Sequence, residues 1–347
     1  MQHRRILLSA GRSPATLELA RTFHRTGHSV YVADTSRWIV TRLSNTVTKG
    51  FVVPSPRECA DAYIEGLIAI IEEESIDFFL PAWEDILYVS SALDRFPDTC
   101  QVFSAPFDTI HSLHCKWDFS KLAERLQLGV PRTWKIDSTH ALNHIPNDIP
   151  LIFKPSYSRA TQRIYRHQPG DPLPPIELSD SNPWVAQECL SGRKFCSYSI
   201  CVDGNVQAHC CYPVLFAIED SSCVYFEAVE HPGIKDWVKR FVRALNFTGQ
   251  IAFDFFEEDD GRLCAIECNP RVTSGIHLLS EVEHLDRAFF SHPHDTLEPR
   301  PGMARQLSTG MVLYGWRSKG PALGGRRFLS TLLQTQDAVY ASHDRRR

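Results

Sequence analysis

Several absences from the sequence exclude whole classes of protein. No apolar stretch approaches the roughly 20 residues that a membrane-spanning helix needs. The first apolar run, at residues 6–8, is too short for a signal peptide. A formal net charge of -4 gives no reason to expect binding to nucleic acid. We therefore expect a cytoplasmic protein with neither a membrane nor a nucleic-acid partner.

The cysteines lack the spacing of a metal site or a redox motif. The chain has 11 cysteines, and no two of them form a C-x-x-C pair. Because no secretory signal precedes them, we expect reduced thiols in the core and no structural zinc. The sequence also offers no convincing Ser-His-Asp or Cys-His arrangement for nucleophilic catalysis.

The sequence does contain, near its start, an alternation of strand and helix patterns. Apolar strand-like runs alternate with helically spaced apolar residues at 5–9, 14–26, 28–33, 61–74, 76–80, 85–95 and 101–103. Such alternation predicts a parallel sheet covered by helices. A chain of 347 residues is expected to form two to three domains, and this pattern predicts a Rossmann-like first one.

Two loops at the predicted strand ends bear on ligand binding. Residues 81–85, PAWED, lie at the edge where open parallel sheets bind ligands. The loop at 11–14, GRSP, lacks the G-x-G-x-x-G spacing that lets backbone approach a pyrophosphate. Asp34, at the end of the second strand, keeps a nicotinamide-dependent oxidoreductase open as a remote alternative.

An acidic hairpin at 249–275 carries the strongest functional signal. Asp254 interrupts the apolar run IAFDFF, where an ionised carboxylate is costly unless a cation meets it. A polar turn at 257–261 leads into a second strand, RLCAIECN. Side chains alternate along strands, so one face is expected to hold Ala252, Asp254 and Phe256, and one face of the next strand Leu263, Ala265, Glu267 and Asn269.

Pairing of these strands would bring oxygen ligands together. Asp254, Glu267 and Asn269 would then offer two carboxylates and an amide to one point, a donor set that suits magnesium. Arg271 follows two residues later and adds a planar cation suited to phosphate. Together these residues predict a metal–phosphate site.

Asp254 and the run Glu267-Cys268-Asn269-Pro270-Arg271 resemble the C-terminal signature of the ATP-grasp superfamily. Members are mostly ADP-forming ligases that join a carboxylate to an amine or a thiol. The resemblance covers residues 6–309 and implies that Asp254, Glu267 and Asn269 hold magnesium ions on ATP. It also implies that Arg271 contacts the phosphates or the acyl phosphate.

Two lysines and one loop extend the resemblance. Lys116, in a helix predicted over 111–128, and Lys154, which closes the apolar strand 149–155, match the two lysines that reach the ATP phosphates. In place of the usual glycine-rich flap the chain has SYSRAT at 156–161, so that Ser156, Ser158 and Arg159 are the expected phosphate ligands.

The segment after the second lysine resembles the adenine hinge. The hinge would comprise Gln187, Glu188, Cys189 and Leu190, with backbone of the last two at the adenine edge. The family commonly places a glutamate for the ribose hydroxyls where this chain has Lys194. That departure is the second one after the missing glycines.

The resemblance implies an α/β N-terminal domain followed by a two-subdomain ATP-grasp α+β fold. The expected boundaries are 1–112 for the N-terminal domain, 113–185 for the small (lid) subdomain with its linker, 186–290 for the C-terminal subdomain with the metal site, and 291–347 for a loop-rich extension.

The expected activity is an ADP-forming ligation. ATP, on Mg²⁺ or Mn²⁺, would phosphorylate a small-molecule carboxylate, and an amine would displace the phosphate, with Lys154 and Arg271 as the catalytic cations. Alternatives left open are an ATP-binding protein of the same fold with little catalysis and a carboxylase or carbamoyl-phosphate-type enzyme. A homodimer is also left open.

Overall fold

The computed structural model describes residues 3–157, 163–179, 182–218, 222–290, 295–317, 325–341 and 344. No helix in this part of the chain combines the length and the apolar character that crossing a bilayer requires.

The N-terminal part forms the predicted parallel sheet. Its five strands lie in the order β3-β2-β1-β4-β5, all parallel. The elements are β1 (Arg5–Leu8), α1 (Pro14–Arg25), β2 (Ser29–Asp34), β3 (Lys49–Val52), α2 (Ala60–Glu73), β4 (Phe78–Leu80), α3 (Ile86–Ser90) and β5 (Gln101–Val102). Sequence patterns missed β3, an edge strand with little buried surface, and extended α3 over what is a separate 3-10 turn at Leu93–Arg95.

The helix predicted over 111–128 is wrong as a single element. The chain forms α4 (Phe107–His114) and α5 (Lys116–Arg125), separated at Cys115, whose backbone is extended. The break reorients the chain, so that α5 begins at Lys116. Local propensity gave no sign of it, because all residues around Cys115 tolerate a helix.

The next segment folds into a small antiparallel sheet. Its strand order is β6-β9-β7-β8, and α6 lies between β6 and β7. The bounds are β6 (Thr133–Ile136), α6 (Thr139–Leu142), β7 (Leu151–Pro155), β8 (Tyr165–His167) and β9 (Trp184–Glu188). Strand β9 crosses the predicted boundary at 185, and the domain boundaries stay predictions.

A second antiparallel sheet, in the order β11-β10-β15-β16, carries the acidic hairpin. Three short strands and a helix separate its first hairpin from its second. The bounds are β10 (Arg193–Val202), β11 (Asn205–Pro213), β12 (Ala217–Ile218), β13 (Ser222–Cys223), β14 (Tyr225–Glu227), α7 (Pro232–Ala244), β15 (Gly249–Glu257) and β16 (Leu263–Asn269).

The C-terminal segment is less loop-rich than predicted. Helix α8 (Arg287–Phe290) precedes it, and the segment itself contains β17 (Ala304–Gln306), α9 (Ser308–Tyr314) and α10 (Gly325–Gln334). Strand β17 pairs with β14, and Arg21 of α1 binds Asp344 through an ion pair of 2.6 Å. The C-terminal segment is thereby attached to β14 and to α1.

Two apolar cores hold the acidic hairpin between them. On one face of its sheet, Phe253 and Phe255 pack with Phe119 of α5 and with Trp237 and Phe241 of α7. The other face contacts a different core, which contains Ile276 and Leu278 and extends to the N-terminal sheet. Burial of one face under helices leaves only the second face available for a polar site.

We expect Gly275→Ala to destabilise the protein, because Gly275 lies against the sheet without room for a side chain. A methyl group there would lie 2.4 Å from Cβ of the fully buried Tyr198. Overpacking of this kind lowers the free energy of unfolding by about 1–3 kcal/mol. Urea unfolding measures it.

Gly66→Ala is the matched control, since Gly66 is inside α2 and the added methyl would be no closer than 3.4 Å to any neighbour. Helix propensity predicts a gain of about 0.5–1 kcal/mol there. Equal effects of the two substitutions would contradict the close approach of residue 275 to the sheet.

Candidate active site

Strand pairing brings the two predicted acids together. Asp254 of β15 lies directly opposite Glu267 of β16, and Ala252 lies opposite Asn269. Side chains of directly opposite residues project from the same face of a sheet. Asp254, Glu267 and Asn269 therefore share one face, as predicted from the alternation.

A β-bulge corrects part of that prediction. The register shifts between Asp254 and Phe255, so that Phe255 lies opposite Ala265. Ala265 and Leu263 consequently pack with the aromatic core under α5 and α7, on the face opposite Glu267. The expectation that Leu263 and Ala265 share a face with Glu267 is wrong, because one extra residue reverses the alternation.

Both members of the acidic pair are partly buried, with 29% of the Glu267 side chain exposed, and they titrate differently. Burial and the charge of Glu267 raise the pKa of Asp254 to about 6, against the opposing effect of a hydrogen bond from Cys196. Burial alone would also raise the pKa of Glu267, but the charges of Lys116 and Lys154 hold it below its usual value. Two neighbouring carboxylates that repel each other favour a cation between them.

Lys116 forms an ion pair with Glu267, and the charges of both acids act on Lys154. Lys116, at the start of α5, is 4% exposed, and its Nζ lies 3.5 Å from Glu267 Oε1. Lys154, near the end of β7, is 5% exposed, and burial together with the charge of Lys116 lowers its pKa to about 8. Buried ammonium groups are uncommon without anionic partners, which here come from the second sheet.

Arg271 connects the acidic hairpin to the N-terminal domain. Its Nη2 lies 3.4 Å from Glu84 Oε1 and 3.3 Å from Asn269 Oδ1. Its guanidinium carbon is 5.4 Å from the ring centre of Trp83. Trp83 and Glu84 follow β4, so the strand-end loop that the sequence indicated does face the site.

Asp85, the last residue of that loop, has a structural role. Its carboxylate accepts hydrogen bonds from Tyr63 Oη at 2.8 Å and from the Trp83 backbone N–H at 3.0 Å. Burial raises its pKa.

His114 was missed by the sequence reasoning. Burial lowers its pKa, and the charges of Glu84, Lys116, Glu267 and Arg271 all act on it. It ends α4, two residues before Lys116. No sequence signal marked it, because only the break at Cys115 turns the end of α4 toward the site.

The predicted hinge residues have mixed surroundings. Gln187 donates its side-chain amide to Thr133 Oγ1 at 3.2 Å. The backbone N–H of Cys189 donates to Pro150 O at 3.0 Å, and Leu190 is buried. A nucleotide-binding role of these residues stays a prediction.

Glu188 lies between two arginines. Its carboxylate accepts hydrogen bonds from Arg132 at 3.2 and 3.3 Å, and from Arg262 at 3.1 and 3.3 Å. Burial alone would raise its pKa, but these bonds lower it to about 2. Arg132 precedes β6 and Arg262 precedes β16, so Glu188 connects the two antiparallel sheets.

Lys194 and the loop after Lys154 complete the predicted set. Lys194, opposite Phe256 in the β10–β15 pair, places Nζ 5.4 Å from that ring centre, on the same face as Asp254. Ser156 is fully buried, and in the described part of the chain its hydroxyl has no hydrogen-bond partner. Ser158 and Arg159 lie outside the described residues.

A cavity of about 790 Å³ opens beside Lys194. Its walls include residues 192–195, 213–215 and 229–232. Neither Asp254 nor Glu267 lines this cavity. The groups suited to phosphate and metal chemistry lie instead in the cluster of Lys116, Lys154, Asp254, Glu267 and Arg271, which is therefore the better candidate active site.

The donor set of the cluster fits a hard metal ion. Among the described residues, no three His, Cys, Asp or Glu side chains converge as metal ligands. A divalent cation would instead be held by the carboxylates of Asp254 and Glu267 and the amide of Asn269, which are oxygen donors.

Asp34 gives no support to a nicotinamide site. Its carboxylate accepts hydrogen bonds from the Arg12 backbone N–H at 2.9 Å, from the Arg12 guanidinium and from the Ser36 backbone N–H at 2.9 Å. An acid that is to bind ribose hydroxyls needs free lone pairs, and those of Asp34 are engaged by the loops after β1 and β2.

The chain has the ATP-grasp fold, as its similarity to solved structures shows. No family model and no curated protein sequence matches the chain. N5-carboxyaminoimidazole synthetase from Staphylococcus aureus complexed with ADP is 11% identical, with a TM-score of 0.69 over 90% of this chain and 85% of that one. Such identities establish the fold alone.

Two further solved structures share it. L-amino acid ligase from Bacillus licheniformis is 15% identical, with a TM-score of 0.62 over 83% of this chain and 73% of that one. The biotin carboxylase domain of 2-oxoglutarate carboxylase from Hydrogenobacter thermophilus, in complex with MgADP and bicarbonate, is 12% identical. Its TM-score is 0.66 over 85% of this chain and 72% of that one.

We expect Glu188→Gln to lower stability at neutral pH. The folded-state pKa of about 2 lies below the ordinary 4.5, so the stabilisation is present above pH 4.5 and is lost as the pH falls toward 2. Because both arginines are exposed, the loss at pH 7 should be about 1–2 kcal/mol of unfolding free energy, less than the pKa shift alone would suggest.

Urea unfolding at pH 7, 4 and 3 measures this loss, and Glu58→Gln, at an exposed glutamate, is the control. A difference between Glu188→Gln and the unsubstituted protein that stays constant down to pH 3 would rule out the ion pairs as its cause.

Proposed function

We propose that the protein is an ATP-dependent, ADP-forming ligase that activates a carboxylate as an acyl phosphate and couples it to an amine. The observation that carries the proposal is the convergence of Lys116, Lys154 and Arg271 on the pair Asp254 and Glu267. Transfer of a phosphoryl group requires little covalent chemistry from a protein and much positive charge around the transferred oxygens.

Roles for the nucleotide and the metal follow from this arrangement. Lys116, Lys154 and Ser156 would bind the phosphates of ATP, and Asp254, Glu267 and Asn269 would hold Mg²⁺. The metal ion would neutralise charge that develops on the phosphate oxygens. Support comes from similar structures that were solved with ADP and with MgADP.

Arg271 would bind the acyl phosphate. Its guanidinium lies between Asn269, beside the proposed metal ligands, and Glu84, at the strand ends of the N-terminal domain. A carboxylate substrate that enters from those strand ends would therefore meet the γ-phosphoryl group beside a planar cation. The fork of N–H groups can contact two of its oxygens at once.

A carboxylase is the second candidate. It is favoured by the biotin carboxylases and N5-carboxyaminoimidazole synthetases of the same fold, one of which was solved with bicarbonate. Bicarbonate would then take the place of the carboxylate. A cytoplasmic location and a homodimer stay predictions.

The reaction itself provides the test. With ATP, Mg²⁺ and mixtures of carboxylates and amines, we expect release of ADP, and hydroxylamine should trap the acyl phosphate as a hydroxamate. ADP release that requires bicarbonate instead would establish the carboxylase. Release of AMP and pyrophosphate would contradict the proposal, and ATP binding without turnover would leave a nucleotide-binding protein.

We also expect ATP affinity to fall above pH 8. In the free protein Lys154 loses its proton at a pKa of about 8, so the charged form that attracts phosphate becomes scarce at higher pH. Linkage then gives a decrease of up to about tenfold in affinity per pH unit. Lys154→Arg keeps its charge throughout and should show a flatter dependence.

Calorimetric titration with MgATP between pH 7 and 9.5 measures this dependence. Lys135→Arg, on the exposed side of β6, is the matched control and should keep the unsubstituted dependence. The same decrease in Lys154→Arg would show that another group titrates.

A further inference from the structure

The residue that follows Ser156 is fastened to α4 by its side chain. Tyr157 Oη hydrogen-bonds His111 Nε2 at 3.0 Å. Its ring centre lies 5.2 Å from that of His111 and 6.1 Å from that of His114, while Phe107 stacks on His111 at 5.3 Å. An aromatic row along α4 therefore holds the tyrosine ring in place.

The hydroxyl of Tyr157 stays protonated at neutral pH. Burial and the adjacent thiol of Cys115 raise its pKa well above the usual value. Tyr157 thus contacts His111 of α4 and Cys115, the residue that separates α4 from α5. Helix α5 and Lys116 begin directly after Cys115.

The backbone around Tyr157 is fastened as well. Its N–H donates to Asn182 Oδ1 at 3.0 Å, and its carbonyl accepts from Asn182 Nδ2 at 3.0 Å. The N–H of Ser156 donates to Pro183 O at 2.8 Å, and the carbonyl of Ser156 accepts from Lys116 N at 3.1 Å. All four backbone polar groups of these two residues are thus engaged within the protein.

These bonds restrict how the segment can bind an anion. A glycine-rich loop offers backbone N–H groups to phosphate. The N–H groups of Ser156 and Tyr157 are used elsewhere, so contact at this end of the segment falls to Lys154 Nζ and the buried hydroxyl of Ser156. Side-chain donors act only if the backbone that carries them is held still.

We propose that Tyr157 is a positioning residue for the triphosphate, which holds Ser156 and Lys154 in place against α4 and α5 through His111, His114 and Asn182. The inference rests on the proposed binding of ATP. It assigns to the tyrosine side chain, in addition to the backbone bonds with Asn182, the placement of Lys154 and Ser156.

The test compares ligands with and without phosphates. Tyr157→Ala should weaken binding of MgATP and MgADP at least about tenfold, as expected when a binding segment loses its order, and leave adenosine binding within about twofold. Tyr157→Phe, which loses one hydrogen bond, should weaken ATP binding about three- to fivefold. Calorimetry gives these affinities, and thermal unfolding checks the fold.

Two further variants keep the test sharp. Tyr165→Phe makes the same change on β8 of the same sheet and should bind ATP as the unsubstituted protein does. His111→Ala should weaken ATP binding as Tyr157→Phe does. A protein that carries both substitutions should bind ATP with the affinity of the weaker-binding single variant, because both substitutions remove the same hydrogen bond.

The outcomes separate two failures. Normal ATP affinity in Tyr157→Ala, or an equal loss for ATP and adenosine, overturns the positioning role alone. An unsubstituted protein that binds neither ATP nor ADP overturns the proposed function together with this inference. Should Tyr157→Ala not fold, Tyr157→Phe and His111→Ala decide by the same comparison.

Discussion

The repulsion between Asp254 and Glu267 is the constraint that explains why three cations surround this site. Two partly buried carboxylates that face each other across neighbouring strands would destabilise the sheet if nothing opposed their charge. Lys116, Lys154 and Arg271 lower that cost, and the pKa values of the two acids record the unequal result. Each of the three cations comes from a different element.

Delivery of these cations depends on the arrangement of the domains. Lys154 reaches the site because β7 ends beside α5, and Lys116 because the chain turns at Cys115. Arg271 forms an ion pair with Glu84, which follows β4 of the parallel sheet. Phe23 of α1, which covers the same sheet, packs against Phe289 of α8. The site therefore combines residues carried by the N-terminal part and by both four-stranded antiparallel sheets.

Much of the site could be predicted from the sequence because its chemistry is local in the chain. Alternation along two strands was enough to place Asp254, Glu267 and Asn269 on one face, and the parallel sheet followed from regular spacing of apolar residues. The bulge at Phe255 was not predictable, because it depends on which residues pack under the helices. His114 and Tyr157 escaped notice for a related reason, since their positions follow from contacts between distant segments.

The contact between Glu84 and Arg271 has a consequence for how an anion enters. The guanidinium already has a carboxylate beside it, so a phosphate that binds there exchanges one negative neighbour for another. An entering anion therefore displaces Glu84 from Arg271 instead of binding to a cation that has no anionic neighbour. Its net gain is the difference between two attractions, and added salt should reduce that difference far less than it would reduce attraction to an uncompensated charge.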